Sequence, residues 1–419
     1  MQVGLKIIFT IVFVLSVCNL SGADENSVYI WQRSWRSEIE AAIGKLNSQS
    51  TQFKVLAGDL TVENGHISFS KVAVKWEYLR SKKKTVIDIR MRTDLSRYLK
   101  VQDQQPIVRC LVDGIHGIIE QAKQSGVDIT GIELDYDCPT AKLNDFARFL
   151  KLFRSAYKEK SVSITALPTW LESKDFLSLL NWVDIYVLQL HSFELPKNKN
   201  TSQYIFQKDK SIEYFNRTIN LNKPFYVSLP TYGYEVAYSK VDEFIGLRAE
   251  GGVQYFAEGI KKKMVFADPQ EIIGFLKYLD SVKSQNFRGV CWFRLPLSSD
   301  RFNWDLKTFT RVIKREIPAG HLDVELVRKD DGITEVYLVN DGEINFSNNA
   351  SFEIFWDTGS PVFDVLGDFD YSTLPDGKGM RITGRPPRVS QKKMAAWFRV
   401  SDNKDLFIRK SEAKVDETN

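Results

Sequence analysis

The chain has 419 residues and a formal net charge of +4, and hydrophobic residues make up 43% of it. A protein of this length can bury one large core and a second, smaller one. So small a net charge on so long a chain gives no sign of the basic surface with which proteins bind nucleic acids, and that class of partner is therefore excluded.

The amino terminus has the pattern of an export signal. Lys6 precedes an apolar run from Ile7 to Val17 that is too short to span a bilayer comfortably, and small residues at 21–23 then offer a cleavage site. We therefore predict a signal peptide over residues 1–23 and a periplasmic or extracellular protein. Cys18 leaves open a second reading, lipid attachment and anchoring in the outer membrane. We predict no transmembrane segment, because no later stretch is long and apolar enough.

Strand-like and helix-like segments alternate from residue 27 to about residue 315. Eight strands with helices between most of them predict a (β/α)8 barrel, also called a TIM barrel. The rival fold, a doubly wound sheet, would usually show a glycine-rich phosphate turn after the first strand, and the sequence has none there. The last predicted helix, from Pro269, has Asp268 as its cap. The predicted strands are Val28–Gln32, Phe53–Ala57, Val86–Arg90, Ile129–Asp137, Val162–Leu167, Ile185–His191, Phe225–Pro230 and Gly289–Leu295.

The pattern changes after a breaker segment at Glu316–Gly320. Beyond it, short segments alternate apolar and polar residues between Asp-Gly and Asn-rich turns, which is typical of antiparallel strands. We predict a glycoside-hydrolase-like barrel domain over residues 24–318, a small all-β sandwich domain over 319–410 and a charged tail over 411–419. The sequence leaves open whether the sandwich binds carbohydrate or only braces the barrel.

The segment GIELDYDCP at residues 131–139 carries the strongest chemical signal. Alternate side chains of a strand share one face, so Glu133, Asp135 and Asp137 point the same way. Three acids on one face repel one another and are costly to desolvate, which a fold tolerates mainly where the charges do chemistry or hold a ligand. With Asp135 ionised beneath it, Asp137 would stay protonated near neutral pH and serve as a general acid. An exposed edge strand with a solvated acidic face is the alternative.

Active sites of such barrels lie at the carboxyl ends of the strands, where further candidates occur. Aromatic rings there can stack on a sugar ring, arginines can bind a carboxylate or sulfate, and an imidazole can hydrogen-bond a sugar hydroxyl. Core packing, ion pairs and rim contacts are the structural alternatives. Asp59, Glu194 and Asp300 are equal candidates for a partner base or nucleophile. The predicted substrate-binding residues are Trp31, Arg90, Trp170, Gln189, His191, Tyr232 and Arg294.

The remaining features bear on metals, disulfides and a lid. Without the signal, the chain retains Cys110, Cys138 and Cys291; an odd number argues against a disulfide framework, although Cys138 and Cys291 could still meet. The sequence has no Cys/His spacing typical of a metal site, so we predict neither metal nor cofactor. Calcium held by the acids of residues 133–137 is a minor alternative.

The long connection at 234–269 is predicted to be a lid or a decorated loop.

The acid strand resembles a known signature. GIELDYDCP is similar to the strand-four segment DGIDxDWEYP of the glycoside hydrolase family 18, or chitinase-type, barrels. Glu133 and Asp135 fall on that family's supporting acids, and Asp137 falls on its catalytic acid, which is a Glu there. SITALP at 163–168, SLPTYGY at 228–234 and GVCWF at 289–293 resemble later strands of the same family in order.

A closer likeness is to a mainly bacterial family known as domain of unknown function 3142. It covers most of residues 27–300 and is carried by the acids of Leu134–Asp137, the segment Ser163–Trp170 and the run Phe293–Pro296. The family resemblance implies a TIM barrel and says little about activity.

The likeness to family 18 implies glycan chemistry with two departures. In that family the acid protonates the leaving oxygen, and a strand-six Tyr helps to orient the substrate's acetamido nucleophile. Here the acid is one methylene shorter, and Leu190 and His191 stand where a Tyr-Asp pair would be. We predict an exported glycoside hydrolase acting on a polysaccharide or glycoconjugate, with Asp137 as general acid. A catalytically inactive carbohydrate-binding barrel with an adaptor or structural role is the alternative. The sugar, its linkage, the stereochemical outcome and the oligomeric state stay open.

Overall fold

The architecture is taken from a computed structural model of the chain. The predicted signal peptide, Cys18 and Glu194 lie outside the residues that it describes. Those residues are 25–46, 48–50, 52–63, 65–80, 84–100, 103–191, 198, 204–249, 260–356, 361–399 and 409–415.

Eight parallel strands form a closed barrel in the first part of the chain. The first strand completes the ring by pairing with both the second and the last. Such strands are buried on both sides, by helices outside and by side chains inside, and all six residues of Phe225–Pro230 are buried accordingly. The strands here are β1 (Glu25–Ile30), β2 (Gln52–Glu63), β3 (His66–Lys71), β4 (Lys84–Met91), β5 (Ile129–Asp135), β6 (Ser161–Ala166), β7 (Ile185–Gln189), β8 (Phe225–Pro230), β9 (Gly233–Tyr238), β10 (Phe244–Arg248), β11 (Lys261–Phe266) and β12 (Phe287–Phe293). The barrel order is β1-β2-β4-β5-β6-β7-β8-β12.

Seven α-helices are described, and they pack their apolar faces on the barrel. The longest buries Ile107, Leu111, Ile115 and Ile118, whose spacing of three or four residues places them on one side. The predicted cap at Asp268 is confirmed, since its carboxylate accepts a hydrogen bond from the Gln270 N–H at 2.8 Å. The helices are α1 (Ser37–Leu46), α2 (Gln105–Gln124), α3 (Leu143–Ala156), α4 (Lys174–Leu180), α5 (Lys208–Thr218), α6 (Pro269–Ser281) and α7 (Leu306–Ile313).

The predicted fold class is confirmed. Each of the eight predicted strands overlaps a barrel strand, and the ring is closed as a TIM barrel requires. The strand that carries the acids ends at Asp135, two residues earlier than predicted.

Two segments beside the barrel differ from the prediction. The connection at 234–269 is not simply a loop, because β9, β10 and β11 form an antiparallel sheet within it, in the order β10-β9-β11. β3 was also not predicted. It extends β2 as an antiparallel hairpin and packs on α2 through Phe69, whose ring fills the space beside Gly114.

The chain then continues into an all-β region, as predicted. Two antiparallel sheets, in the orders β13-β14-β19-β16 and β17-β18-β15-β20, share one apolar core that includes Val336, Leu338, Ile354 and Phe398. Burial alternates along the strands, because one face of each sheet packs on the core and the other meets water. The strands are β13 (Asp323–Arg328), β14 (Ile333–Asn340), β15 (Ala350–Phe355), β16 (Val362–Val365), β17 (Phe369–Thr373), β18 (Gly379–Gly384), β19 (Gln391–Arg399), β20 (Arg409–Lys410) and β21 (Lys414–Val415).

The all-β region touches the barrel through polar contacts to the segment after β12. Arg388 donates hydrogen bonds to the carbonyl oxygens of Ser298 and Asn303. The side-chain amide of Asn345 donates to the Asn303 carbonyl at 3.2 Å. These hydrogen bonds attach the segment of residues 298–303 to the all-β region. In the described part of the chain, no helix is both long and apolar enough to cross a membrane.

Candidate active site

A cavity of about 550 Å³ opens at the carboxyl ends of the barrel strands. This is the end at which TIM barrels build their sites, because the loops there converge. Asp135, Asp137, Trp31, Arg90, Gln189, His191 and Tyr232, all predicted from the sequence, line it together with Tyr29, Thr165, Leu167, Ser228 and Phe293. We refer to this space as the cavity.

The two acids of the cavity differ in depth. Asp135 ends β5 and is mostly covered, and its Oδ1 accepts a hydrogen bond of 2.6 Å from the Thr165 hydroxyl. Asp137 follows beyond the end of the strand and is exposed at the mouth of the cavity. A substrate would therefore meet Asp137 first.

Both acids bind their protons more tightly than an ordinary Asp does. Burial raises the pKa of Asp135 to about 7, helped by the charge of Asp137 and opposed by the hydrogen bond from Thr165. Partial removal of water around Asp137 raises its pKa as well, even though the side chain reaches solvent. Two coupled carboxyl groups titrate as a pair, so between them they keep a proton close to neutral pH.

Glu133 lies one step below, in a buried polar cluster that we call the barrel floor: Tyr29, Lys54, Asp88, Glu133 and Ser163. Lys54 forms a fully buried ion pair with Glu133. The Tyr29 hydroxyl donates to Glu133 Oε1 at 2.5 Å, and the Ser163 hydroxyl donates to Oε2 at 2.8 Å. Burial alone would lower the pKa of Lys54, but Cys291, Glu133 and Asp88 raise it above the usual value, so the ammonium keeps its charge.

Asp88 completes the barrel floor and behaves differently from Glu133. Complete burial raises its pKa well above the usual range, and the charges of Asp135 and Glu133 add to this. Its oxygens accept no hydrogen bond from any N–H or O–H in the described part of the chain. That is expected of a protonated carboxyl group that donates to its neighbour Glu133.

One wall of the cavity is aromatic. The ring of Phe293 stacks on His191, with centroids 5.7 Å apart, and meets Trp31 edge to face at 5.2 Å. Tyr232 Oη lies 3.1 Å from His191 Nδ1, within hydrogen-bonding distance. Burial lowers the pKa of His191 to about 4, so the imidazole is neutral at physiological pH and forms hydrogen bonds without adding charge.

Arg90 enters the cavity from β4 but is already engaged. Its Nε donates a hydrogen bond of 2.7 Å to Asp59 Oδ1. Arg33 donates two more hydrogen bonds, of 2.6 and 2.9 Å, to the same carboxylate. Although burial opposes it, these two guanidinium groups lower the pKa of Asp59. Asp59 therefore lies behind the wall as an ion-pair partner, and among the described residues only Asp135 and Asp137 place carboxylates in the cavity.

With this geometry established, comparison with known proteins identifies the family. A family model described as "Domain of unknown function (DUF3142)" matches residues 83–298, which is more than half of the chain. The chain belongs to this family. The match runs from β4 to just beyond β12, so it includes both cavity acids but not Trp31 or Lys54. No curated protein matches the chain.

Solved structures share the barrel at low sequence identity. The C-terminal domain of a candidate chitinase from Desulfitobacterium hafniense is 12% identical, with 70% of this chain and 99% of that one covered and a TM-score of 0.51. The spore cortex-lytic enzyme SleL of Bacillus cereus is 12% identical over 70% of this chain and 75% of its own, with a TM-score of 0.49. The family 18 chitinase ChiB of Flavobacterium johnsoniae is 14% identical over 70% and 94%, with a TM-score of 0.43. At this identity the comparison supports the fold alone, which is the predicted TIM barrel.

Three residues predicted for the site of this DUF3142 protein lie outside the cavity. Trp170 is fully buried in the core and its indole N–H donates to the Cys138 carbonyl at 3.0 Å, so the expectation that it contacts substrate is corrected. Glu133 belongs to the barrel floor. Arg294 lies in a neighbouring groove and pairs with Asp300 at 2.5 Å, which also removes Asp300 from the candidates for a catalytic base.

Four further polar residues point into the barrel, and a strict two-residue alternation along β2, β4 and β6 would have predicted them. Lys54 and Asp88 interrupt apolar runs of β2 and β4, and Ser163 and Thr165 alternate with apolar residues on β6. A polar residue at every second position of a buried strand points into the barrel. The cysteines do not cross-link, since Cys110, Cys138 and Cys291 are all free.

Proposed function

We propose that this protein is an exported glycoside hydrolase that acts on a polysaccharide or glycoconjugate, with Asp137 as its general acid. The observation that carries the proposal is the pair Asp135 and Asp137 at the open end of the barrel, which keeps a proton near neutral pH. A glycosidic bond breaks when its oxygen receives a proton as positive charge grows on the anomeric carbon. The pair supplies both requirements, an acid and a negative charge.

The residues of the cavity suit these two roles. Asp137 is the exposed member and would deliver the proton to the leaving oxygen, which takes the electron pair of the broken bond. In the free protein the covered member, Asp135, holds a proton up to about pH 7. As Asp137 gives its proton to the leaving oxygen, Asp135 would pass its own proton to Asp137, and the Asp135 carboxylate, held in place by Thr165, would then stabilise the developing cation. A water molecule would then add its hydroxyl to the anomeric carbon and return a proton to the pair.

The remaining wall suits a sugar. Trp31 and Phe293 offer apolar faces of the kind that stack on pyranose rings, while Gln189, neutral His191 and Tyr232 offer hydrogen-bonding groups. Several of the structural neighbours are chitinases, and two plant chitinases are in complex with N-acetylglucosamine tetramers. Export is supported by the pattern of residues 6–23, and Cys18 offers a lipid attachment point.

Release of products from soluble oligosaccharides, measured by mass spectrometry, tests the proposal. We expect Asp137→Asn to lower kcat/KM by about 100-fold or more, the usual contribution of a general acid, with little change in the free energy of unfolding. Asp128→Asn is the matched control, because Asp128 lies just before the opposite end of the same strand and is 83% exposed. Activity that survives in Asp137→Asn would contradict the assignment. Binding without any product release would instead favour the inactive carbohydrate-binding barrel.

A further inference from the structure

A second groove, of about 680 Å³, adjoins the cavity and shares Trp31 with it. The segment after β1 forms one side of this groove, and the segment after β12 forms the other. Its lining is dominated by arginines, in contrast to the acids of the cavity. The five are Arg33, Arg36, Arg248, Arg294 and Arg301.

The acids around the groove are shared among several arginines. Glu235 Oε2 lies 3.1 Å from Arg248 Nη2 and 3.2 Å from Arg301 Nη2, and Arg385 approaches the same carboxylate at 4.0 Å. Asp59 is likewise divided between Arg33 and Arg90. Arg294 has Asp300 as its carboxylate partner.

Because single carboxylates are shared by two or three arginines, the arginines of the groove outnumber the acids and the groove is positively charged. Glu38 also lines the groove, and Ser298 and Ser299 hold its carboxylate by hydrogen bonds. Among the described residues, the groove and the ion pairs behind it contain seven guanidinium groups and four carboxylates, an excess of three positive charges. Arg36 is exposed and forms no ion pair within the described residues, which leaves its guanidinium available.

An aromatic ring holds two of the arginines in place. The guanidinium carbons of Arg301 and Arg248 lie 4.6 and 5.2 Å from the centroid of buried Phe302. A guanidinium stacked on a ring keeps its N–H edge for oxygen acceptors and loses little freedom on binding them. Trp31 forms the border, where one sugar ring could lie between groove and cavity.

We propose that this groove binds an acidic sugar residue, bearing a carboxylate or sulfate, next to the residue held at Asp135 and Asp137. This rests on the proposed function of the cavity and names the class of its substrate. Guanidinium forks match the paired oxygens of such groups, and an acidic sugar would be repelled from the two acids of the cavity. The substrate is thus a mixed glycan that places a neutral sugar in the cavity and an acidic sugar in the groove.

Calorimetric binding to the Asp137→Asn protein tests this without turnover. The probes are an unsulfated chondroitin hexasaccharide, which carries only carboxylates, a chondroitin 4-sulfate hexasaccharide and neutral chitohexaose. We expect at least one acidic probe to bind about 5-fold or more tightly than chitohexaose, with an advantage that falls between 50 and 300 mM salt. Comparing the two acidic probes shows whether carboxylates suffice or sulfate is required.

Variants in the same background locate the binding. Arg36→Glu should weaken acidic probes by about 5-fold or more and leave chitohexaose unchanged, while Arg36→Lys should retain most of the affinity. Arg288→Ala is the matched control, since Arg288 is exposed at the amino end of β12 on the opposite rim. Equal affinity for neutral and acidic probes, or acidic binding unaffected by Arg36→Glu, would overturn the inference.

The two proposals fail in different ways. If acidic probes bind in the groove but the wild-type protein never cleaves them, the inference stands and the hydrolase proposal fails. If the wild-type protein cleaves neutral and acidic oligosaccharides equally well, with no effect of Arg36→Glu, the hydrolase proposal stands and the inference fails.

Discussion

The cavity and the barrel floor carry acids on the same face of one strand, yet the two regions treat them in opposite ways. Glu133 is paired with a buried Lys54 and accepts hydrogen bonds from two hydroxyl groups. Asp135, two residues later, has Thr165 and a second acid as neighbours, and its pKa rises to about 7. Glu133 can serve the structure and Asp135 can serve chemistry, because Lys54 forms its ion pair with Glu133.

Removing that cation should have the largest effect. Lys54→Met leaves Glu133 buried without its partner, and we expect it to lower the free energy of unfolding by about 3–5 kcal/mol. Urea unfolding followed by circular dichroism measures this. The double variant Lys54→Met/Glu133→Gln should recover a substantial part of the loss, because no unpaired charge remains. A single variant as stable as the wild type would show that the pair does not hold the barrel floor together.

The raised pKa of Asp135 should make stability depend on pH. The folded protein holds this proton up to about pH 7, whereas the unfolded chain releases it near pH 4, so stability falls as pH rises between these values. We expect about 2 kcal/mol to be lost from pH 5 to pH 8, after allowing for partial exposure. Asp135→Asn should remove this part of the slope and make the protein more stable than the wild type at pH 8. Parallel unfolding curves of the two proteins at both pH values would contradict it.

The hydrogen bond from Thr165 should tune the same proton. Because Thr165 favours the ionised form of Asp135, Thr165→Val should raise its pKa further, by about one unit. Carbon-13 NMR titration of the Asp carboxyl groups reads this directly, and an active enzyme would show its alkaline limb displaced to higher pH. Thr165→Ser keeps the hydroxyl and should titrate like the wild type. A downward shift in Thr165→Val would show that the bond does not act on the ionised form.

The smallest effect should come from Asp88. If its carboxyl group is protonated, Asp88→Asn replaces one neutral group with another of the same shape, and we expect less than about 1 kcal/mol of change in the free energy of unfolding at pH 7. Asp88→Ala, which leaves a space in the packed floor, is the comparison and should cost more. A large loss in Asp88→Asn would indicate that the carboxylate is ionised and part of the charge balance of Lys54.

The barrel could be predicted because its strands are short runs rich in apolar residues, and each of them ends near a breaker or a polar segment. The cavity acids followed from alternation along β5. The hairpin of β3 was missed even though the Asn-Gly dipeptide at 64–65 is a strong hairpin signal. YEVAY at 234–238 lies inside the connection predicted to be a lid or a decorated loop, yet it forms β9, in which no residue is exposed.

Other parts of the site could not be read from sequence spacing. Trp170 lies in a short 3-10 turn (Pro168–Glu172) after β6, where two-residue alternation no longer applies and the indole rotates into the core. Arg294 similarly follows the end of β12 and turns toward Asp300 instead of the cavity. The sharing of Glu235 among arginines joins residues far apart along the chain, so only the folded structure reveals the groove.

The grip of the all-β region on residues 298–303 has a consequence for evolution. That segment carries Arg301 and Phe302, so the all-β region contacts one side of the groove through the Ser298 and Asn303 carbonyls, and none of these contacts involves Asp135 or Asp137. If the proposed function and the proposed acidic-sugar site hold, changes in the loops around Asn345 and Arg388 would alter which glycans bind without changing Asp135 and Asp137. The segments that would determine selectivity could then change in evolution while the strand that carries the two acids stays the same.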